Sequence, residues 1–213
     1  MRKKESPVSD PIKDAAEQAG VGFVRKKTVA PWQEEITFCT TAQFASLDKG
    51  YRRHCGPTAI TNLILTLNRR YGYIADPIPS EIFLTVSHIG QKLHIYWNAE
   101  VLGHFGGTYD SLTEAYMRLC LRRFQIPLRP RWHPFPSEIQ FIRALDAGKL
   151  LYLQLHRHPC YGSHHLLCYG YTTLHSEDRK QREIYLLLAD GWSRRPRYLR
   201  LKKRGICHFF AIG

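Results

Sequence analysis

Apolar positions along the chain follow two different periods. From Cys55 onward, Ile60, Leu63, Ile64 and Leu67 recur at the i, i+3, i+4, i+7 spacing of one helical stripe, with Gly72 just past its end. Pro79-Ser80-Glu81 predicts the start of a second helix. Ser111, with Glu114 three residues on, reads as a capping box for a third that buries Leu112, Tyr116, Leu119 and Cys120. Ser137 with Gln140 opens a fourth, closed at Gly148. Beyond it the period becomes two: Leu151, Leu153 and Leu155 alternate with Tyr152, Gln154 and His156, and further strands fit 164–171, 183–190, 197–203 and 206–212. Helices first and strands afterwards predict an α+β domain, with an N-terminal helical half and a C-terminal antiparallel β-sheet.

Residues 1–31 lack this periodicity. They mix Lys, Glu, Asp and proline with few apolar positions, and a flexible basic arm is expected there, the compact domain occupying 32–213. A cleavable propeptide is the more specific version of the same expectation.

Composition narrows the class. A chain of 213 residues that is 44% apolar suits one globular domain whose core needs no disulfides. The cysteines (Cys39, Cys55, Cys120, Cys160, Cys168, Cys207) show no framework spacing. Met-Arg-Lys-Lys-Glu leads into polar residues rather than an apolar secretory stretch, and no run approaches the ~18 apolar residues of a spanning helix. A cytoplasmic protein with free thiols and no membrane span is expected, secretion after loss of a leader being left open. The formal charge of +13 favours acidic partners, including an acidic peptide or protein substrate. No basic zipper, zinc finger or RNA-binding signature is present, so no specific nucleic-acid partner is expected.

One segment carries candidate chemistry at a helix start. Cys55-Gly56-Pro57-Thr58-Ala59 places a thiol against the unsatisfied N–H groups and positive dipole end of a helix, both of which favour thiolate. Gly56 leaves room for a substrate carbonyl beside the sulfur, and Pro57 suits the first turn. The same residues also fit a small buried cysteine before a turn, and a nucleophile needs a base. Ser163-His164-His165-Leu166-Leu167-Cys168-Tyr169-Gly170-Tyr171 offers two histidines on a strand; alternation puts them on opposite faces, so only one is expected to face a given site. The strand ending in Asp190-Gly191-Trp192 supplies a carboxylate able to fix an imidazole tautomer; Asp-Gly is equally an ordinary turn.

The order Cys, His, Asp, with the histidine six residues before Gly170-Tyr171 and the acid in an Asp-x-Trp, resembles the papain-like cysteine peptidase superfamily over about residues 43–204. The Cys-Gly-Pro-Thr-Ala start is most similar to the bacterial branch that includes bacteriocin-leader peptidases. The resemblance implies a papain-like fold, with Cys55 as nucleophile, His164 as base, Asp190 orienting it and Trp192 covering the pair, and no cofactor. It also implies an oxyanion glutamine a few residues before the cysteine. Here Lys49 stands six residues before Cys55, and the nearest upstream glutamine, Gln43, is the tentative donor beside the Cys55 N–H. The charged stretch 172–183 lengthens the His-to-Asp spacing and is expected to be a surface hairpin insertion.

Two rival readings stand beside this one. His156, His158, Cys160, His164, His165 and Cys168 form a dense set of nitrogen and sulfur donors, although their spacing matches no compact zinc module. A non-catalytic peptide-binding module on the same fold is the other.

Overall fold

The computed structural model describes residues 8–30, 37–47, 54–99, 105–201 and 206–213. In chain order they form α1 (Pro11–Ala19), β1 (Phe23–Val29), α2 (Thr41–Phe44), α3 (Cys55–Tyr71), α4 (Pro79–Lys92) and the hairpin β2 (Tyr96–Ala99) with β3 (Phe105–Thr108). A 3-10 turn (Asp110–Leu112) leads into α5 (Thr113–Arg123), β4 (Arg131–Pro134) and α6 (Glu138–Asp146). The strands β5 (Leu150–His158), β6 (Gly162–Ser176), β7 (Arg182–Ala189), β8 (Arg197–Arg200) and β9 (Ile206–Ile212) complete the chain. The class is α+β, as the sequence predicts, with an antiparallel seven-stranded sheet ordered β4-β9-β5-β6-β7-β8 and β1 added alongside β6. No helix among the described residues is long and apolar enough to cross a membrane.

Both faces of this sheet are covered. Tyr152, Leu167, Tyr169, Leu187 and Phe210 face the layer of α3, α4 and α5. Leu153, Leu166, Cys168, Leu186 and Phe209 face α6 through Phe141 and Leu145. Helix α3 lies at the centre, buried from Gly56 to Asn68 rather than along a single stripe. Two of its threonines bond inward, Thr61 and Thr66 donating to carbonyls one turn back at 2.8 and 2.7 Å, whereas the buried Thr58 hydroxyl meets no hydrogen-bond partner among the described residues. Asn62 accepts from the Cys39 N–H at 2.9 Å and donates to the Cys39 carbonyl at 3.0 Å, which ties the segment before α2 to the middle of α3. Gly72, at φ 65°, ends the helix in the left-handed cap expected of it.

Three expectations need correction. The described part of the supposed arm is folded: Asp10 caps α1, and β1 pairs with β6 from Phe23↔Ser176 to Val29↔Tyr171. Ala15 and Phe23 pack with Leu174 and Tyr185 in a third apolar cluster. Residues 1–7, 31 and Trp32 lie outside the described residues. The third helix starts two residues later than Ser111, because a 3-10 turn intervenes. Its buried stripe is consequently Thr113, Tyr116, Met117, Cys120 and Leu121, leaving Leu112 and Leu119 exposed. The stretch 172–183 does form the expected hairpin, but it is built into the sheet rather than lying on the surface, since β6 runs to Ser176, β7 begins at Arg182 and β1 pairs along the same part of β6.

The long β6 is shared along one edge, its first half pairing with β5 and its second half with β1. At the crossing, a register shift between Cys168 and Gly170 accommodates Gly170 against the end of β1. A Cβ there would collide with the Val29 carbonyl oxygen, which is backbone and has nowhere to yield. Gly170→Ala is therefore expected to cost about 1–3 kcal/mol, read as a lowered urea midpoint. A wild-type midpoint would mean that β1 does not seat here.

Candidate active site

The start of α3 meets two other elements. The Cβ position of Gly56 is filled by the Thr108 side chain of β3, so glycine is what lets the hairpin close over the first turn. On the other side, the Gly191 carbonyl accepts from the Thr41 N–H at 2.8 Å and from its hydroxyl at 3.1 Å, and the Thr58 methyl sits near Gly191. Cys55 is thereby held next to the Asp190-Gly191-Trp192 turn, although 135 positions of sequence separate Cys55 from Asp190.

These elements surround a cleft of ≈850 Å³, lined among others by Thr41, Ala42, Cys55, Thr108, Asp110, His164, His165 and Trp192. Cys55 is partly exposed there, whereas Cys39, Cys120 and Cys168 are buried. Burial raises the thiol pKa at all three, to about 12 for Cys168, so these sulfurs stay protonated. His54 occupies the N-cap position without a side-chain capping bond, and Pro57 has no N–H to offer, so the first turn of α3 brings Cys55, with the helix's unsatisfied amide end, to the cleft.

His164 is 4% exposed and its geometry fixes its tautomer. Nε2 lies 2.7 Å from the Asp190 carbonyl oxygen, an atom that only accepts, so Nε2 carries the proton and Nδ1 holds the lone pair. The ring stacks parallel to Tyr161 at 5.6 Å and is covered by Trp192 at 4.8 Å. Burial lowers its pKa, opposed in part by the hydrogen bond to Asp190 and the charge on Asp190. The ring is accordingly neutral at neutral pH and able to take a proton at Nδ1.

Asp190 orients the histidine differently from the expectation. Its backbone carbonyl, not its carboxylate, receives the imidazole N–H. The carboxylate instead accepts from the Trp192 and Ser193 N–H groups, at 2.9 and 3.0 Å, and from the Tyr161 hydroxyl at 3.3 Å. It therefore folds the turn that aims its own carbonyl and places Trp192, while its charge still favours an imidazolium.

His165 breaks the expectation that only one histidine faces the site. The two rings do leave β6 on opposite faces, but the strand end lies beneath the mouth of the cleft, so both line it. His165 is buried and contacted on both ring nitrogens: the Tyr152 hydroxyl lies 2.9 Å from Nδ1, and Asp110 Oδ1 lies 3.5 Å from Nε2. Burial pushes its pKa down to about 3. It is too weak a base to hold a thiol proton, and this separates the two histidines chemically.

Gln43 is not brought into the site. It is exposed on α2, whose cleft-facing residues are Thr41, Ala42 and the following Ala45. Lys49 lies outside the described residues. Among the described residues no group of three or more His, Cys, Asp or Glu side chains is placed to hold a metal ion. Sequence reasoning missed Tyr161, Tyr152, Asp110 and Thr108, none of which stands in a recognisable motif.

Comparison of the chain with known protein families, curated proteins and solved structures finds no match. What the site can do rests on its own geometry.

Proposed function

We propose that this chain is a cysteine peptidase or amidase of the papain-like type, working through a thioester acyl-enzyme. The observation that carries the reading is the convergence of three sequence-distant parts on one cleft. These are a partly exposed thiol at a helix N-terminus, a neutral histidine with a single available lone pair, and the Trp192 lid over that histidine.

The chemistry follows from the protonation states. His164 Nδ1 takes the Cys55 proton, and the helix N-terminus stabilises the resulting thiolate. The sulfur adds to a substrate carbonyl carbon, and the oxyanion is met by the backbone N–H of Cys55. His164 returns the proton to the leaving amine as the C–N bond breaks, giving a thioester and a free amine. Water, deprotonated by His164, then cleaves the thioester to the acid and regenerates the thiol. Asp190 favours the imidazolium formed in each half-reaction through the carbonyl contact and its charge.

The direct test is iodoacetamide alkylation across pH, read cysteine by cysteine with mass spectrometry. Preferential labelling of Cys55 below pH ~8, lost in His164→Ala, is the expected result. Labelling of Cys55 no faster than Cys160, the other partly exposed thiol described, would remove the chemical basis of the reading.

A further inference from the structure

The net charge of +13 points toward acidic partners, but the cleft has the opposite character. Among its described lining residues there is no Lys or Arg, and Asp110 is the one carboxylate. Asp110 stands at the cleft wall with its side chain 51% exposed. Its Oδ1 is fixed from behind by the Gln154 amide at 3.0 Å, and that amide is itself anchored on the Thr113 hydroxyl at 2.8 Å. His208 holds the other end of Gln154 through the amide oxygen. Oδ2 takes part in none of these contacts.

No Lys or Arg among the described lining residues pairs with this carboxylate, and the groups that face it are imidazoles. His165 and His208 are both shifted toward the neutral imidazole, chiefly by burial, and His156 is the remaining imidazole near it. A partly solvated carboxylate that lines the cleft and is held through one oxygen is suited to a cationic nitrogen that can donate to it.

We propose that Asp110 is a specificity-determining residue that selects substrates bearing a cationic nitrogen, a lysine or arginine side chain or a free α-amine, close to the scissile carbonyl. In its substrate sense this rests on the cysteine peptidase reading. The charge preference of the cleft does not.

Two arms test it. The first measures modification of Cys55 by methanethiosulfonates carrying a trimethylammonium or a sulfonate group, in wild type, Asp110→Asn and Asp110→Glu. Each reagent gives a mixed disulfide and releases methanesulfinate, so the rate ratio reports charge selection without any turnover. Wild type is expected to favour the cation despite its net charge. Asp110→Asn should cut the cation-to-anion ratio by about five- to tenfold, from the loss of one partly screened unit charge, and Asp110→Glu should retain most of it. A ratio unchanged in Asp110→Asn overturns the proposal.

The second arm uses fluorogenic peptide amides in which lysine replaces norleucine position by position, each with a free or an acetylated N-terminus. A lysine preference kept on acetylation identifies a side-chain subsite, and one lost on acetylation identifies α-amine recognition; both should vanish in Asp110→Asn. Turnover that ignores lysine and the free amine alike overturns the proposal. Absence of any turnover instead counts against the peptidase reading, while the reagent ratio still decides the charge of the cleft.

Discussion

Replacing Cys55 by alanine is expected to lower amide hydrolysis by at least about a thousandfold, because Cys55 is the only thiol among the described residues that line the cleft. The fold should survive the change. Cys55 is only partly buried and α3 is held along its length by Gly56–Asn68, so the loss of one sulfur costs under about 1 kcal/mol. Activity and stability are thus separable at this residue, and the pair of measurements is substrate turnover beside a urea unfolding curve. His164→Ala should be as damaging to turnover yet less clean, since it also removes the ring packed between Tyr161 and Trp192. Hydrolysis that persists unchanged in Cys55→Ala with an intact unfolding transition would end the nucleophile assignment.

Acidification should destabilise the protein well before the carboxylates titrate. His165 has a folded-state pKa of about 3 against an ordinary value of 6.5, so the unfolded chain binds the extra proton. Its contribution is present in full above pH 6.5 and is lost as pH falls toward 3, at about 1.4 kcal/mol per pH unit. His164, His208 and His133 are shifted in the same direction and add to the slope. Asp110 acts oppositely: its raised pKa makes protonation more favourable in the folded state, which offsets part of the loss in the carboxylate range. The check is the urea midpoint at pH 7.5, 6.0 and 5.0. It should fall steadily in wild type and more shallowly in His165→Gln, which starts lower at pH 7.5 because the Tyr152 and Asp110 contacts are lost. A wild-type midpoint flat from 7.5 to 5.0 would mean that His165 is not enclosed as a neutral ring.

The parts of this fold that announce themselves in sequence are those whose periodicity runs for several turns or pairs. Helix α3 and strands β5 to β7 are legible because burial repeats along them. Strand β1 is not, because only Phe23 is buried and the rest of the strand is exposed or half-buried, so no alternation survives. The hairpin of β2 and β3 lacks a local signal as well, although it brings Thr108 over Gly56. At the site, Cys55, His164 and Trp192 all line one cleft. Asp190 is adjacent through its backbone carbonyl, a contact no residue type encodes. Gln43 fails because reach depends on the path of the chain before α3, which spacing alone does not set. Asp110 is invisible from sequence because its partners, Gln154 and His165, lie 44 and 55 positions away.

The pairing of β1 with β6 bears on how this chain would tolerate processing. An inhibitory pro-segment must be dispensable once cut away, and it usually lies over a cleft rather than within a sheet. Here the segment that ends at Val29 is bonded to β6 at the far end of the sheet from Cys55, closing six paired positions from Tyr171 to Ser176. Trimming the chain near residue 31 would strip that border and leave an open strand edge, the kind of surface that recruits strands from neighbouring molecules. Cleavage at this point would expose a pairing edge of the sheet rather than uncover the cleft.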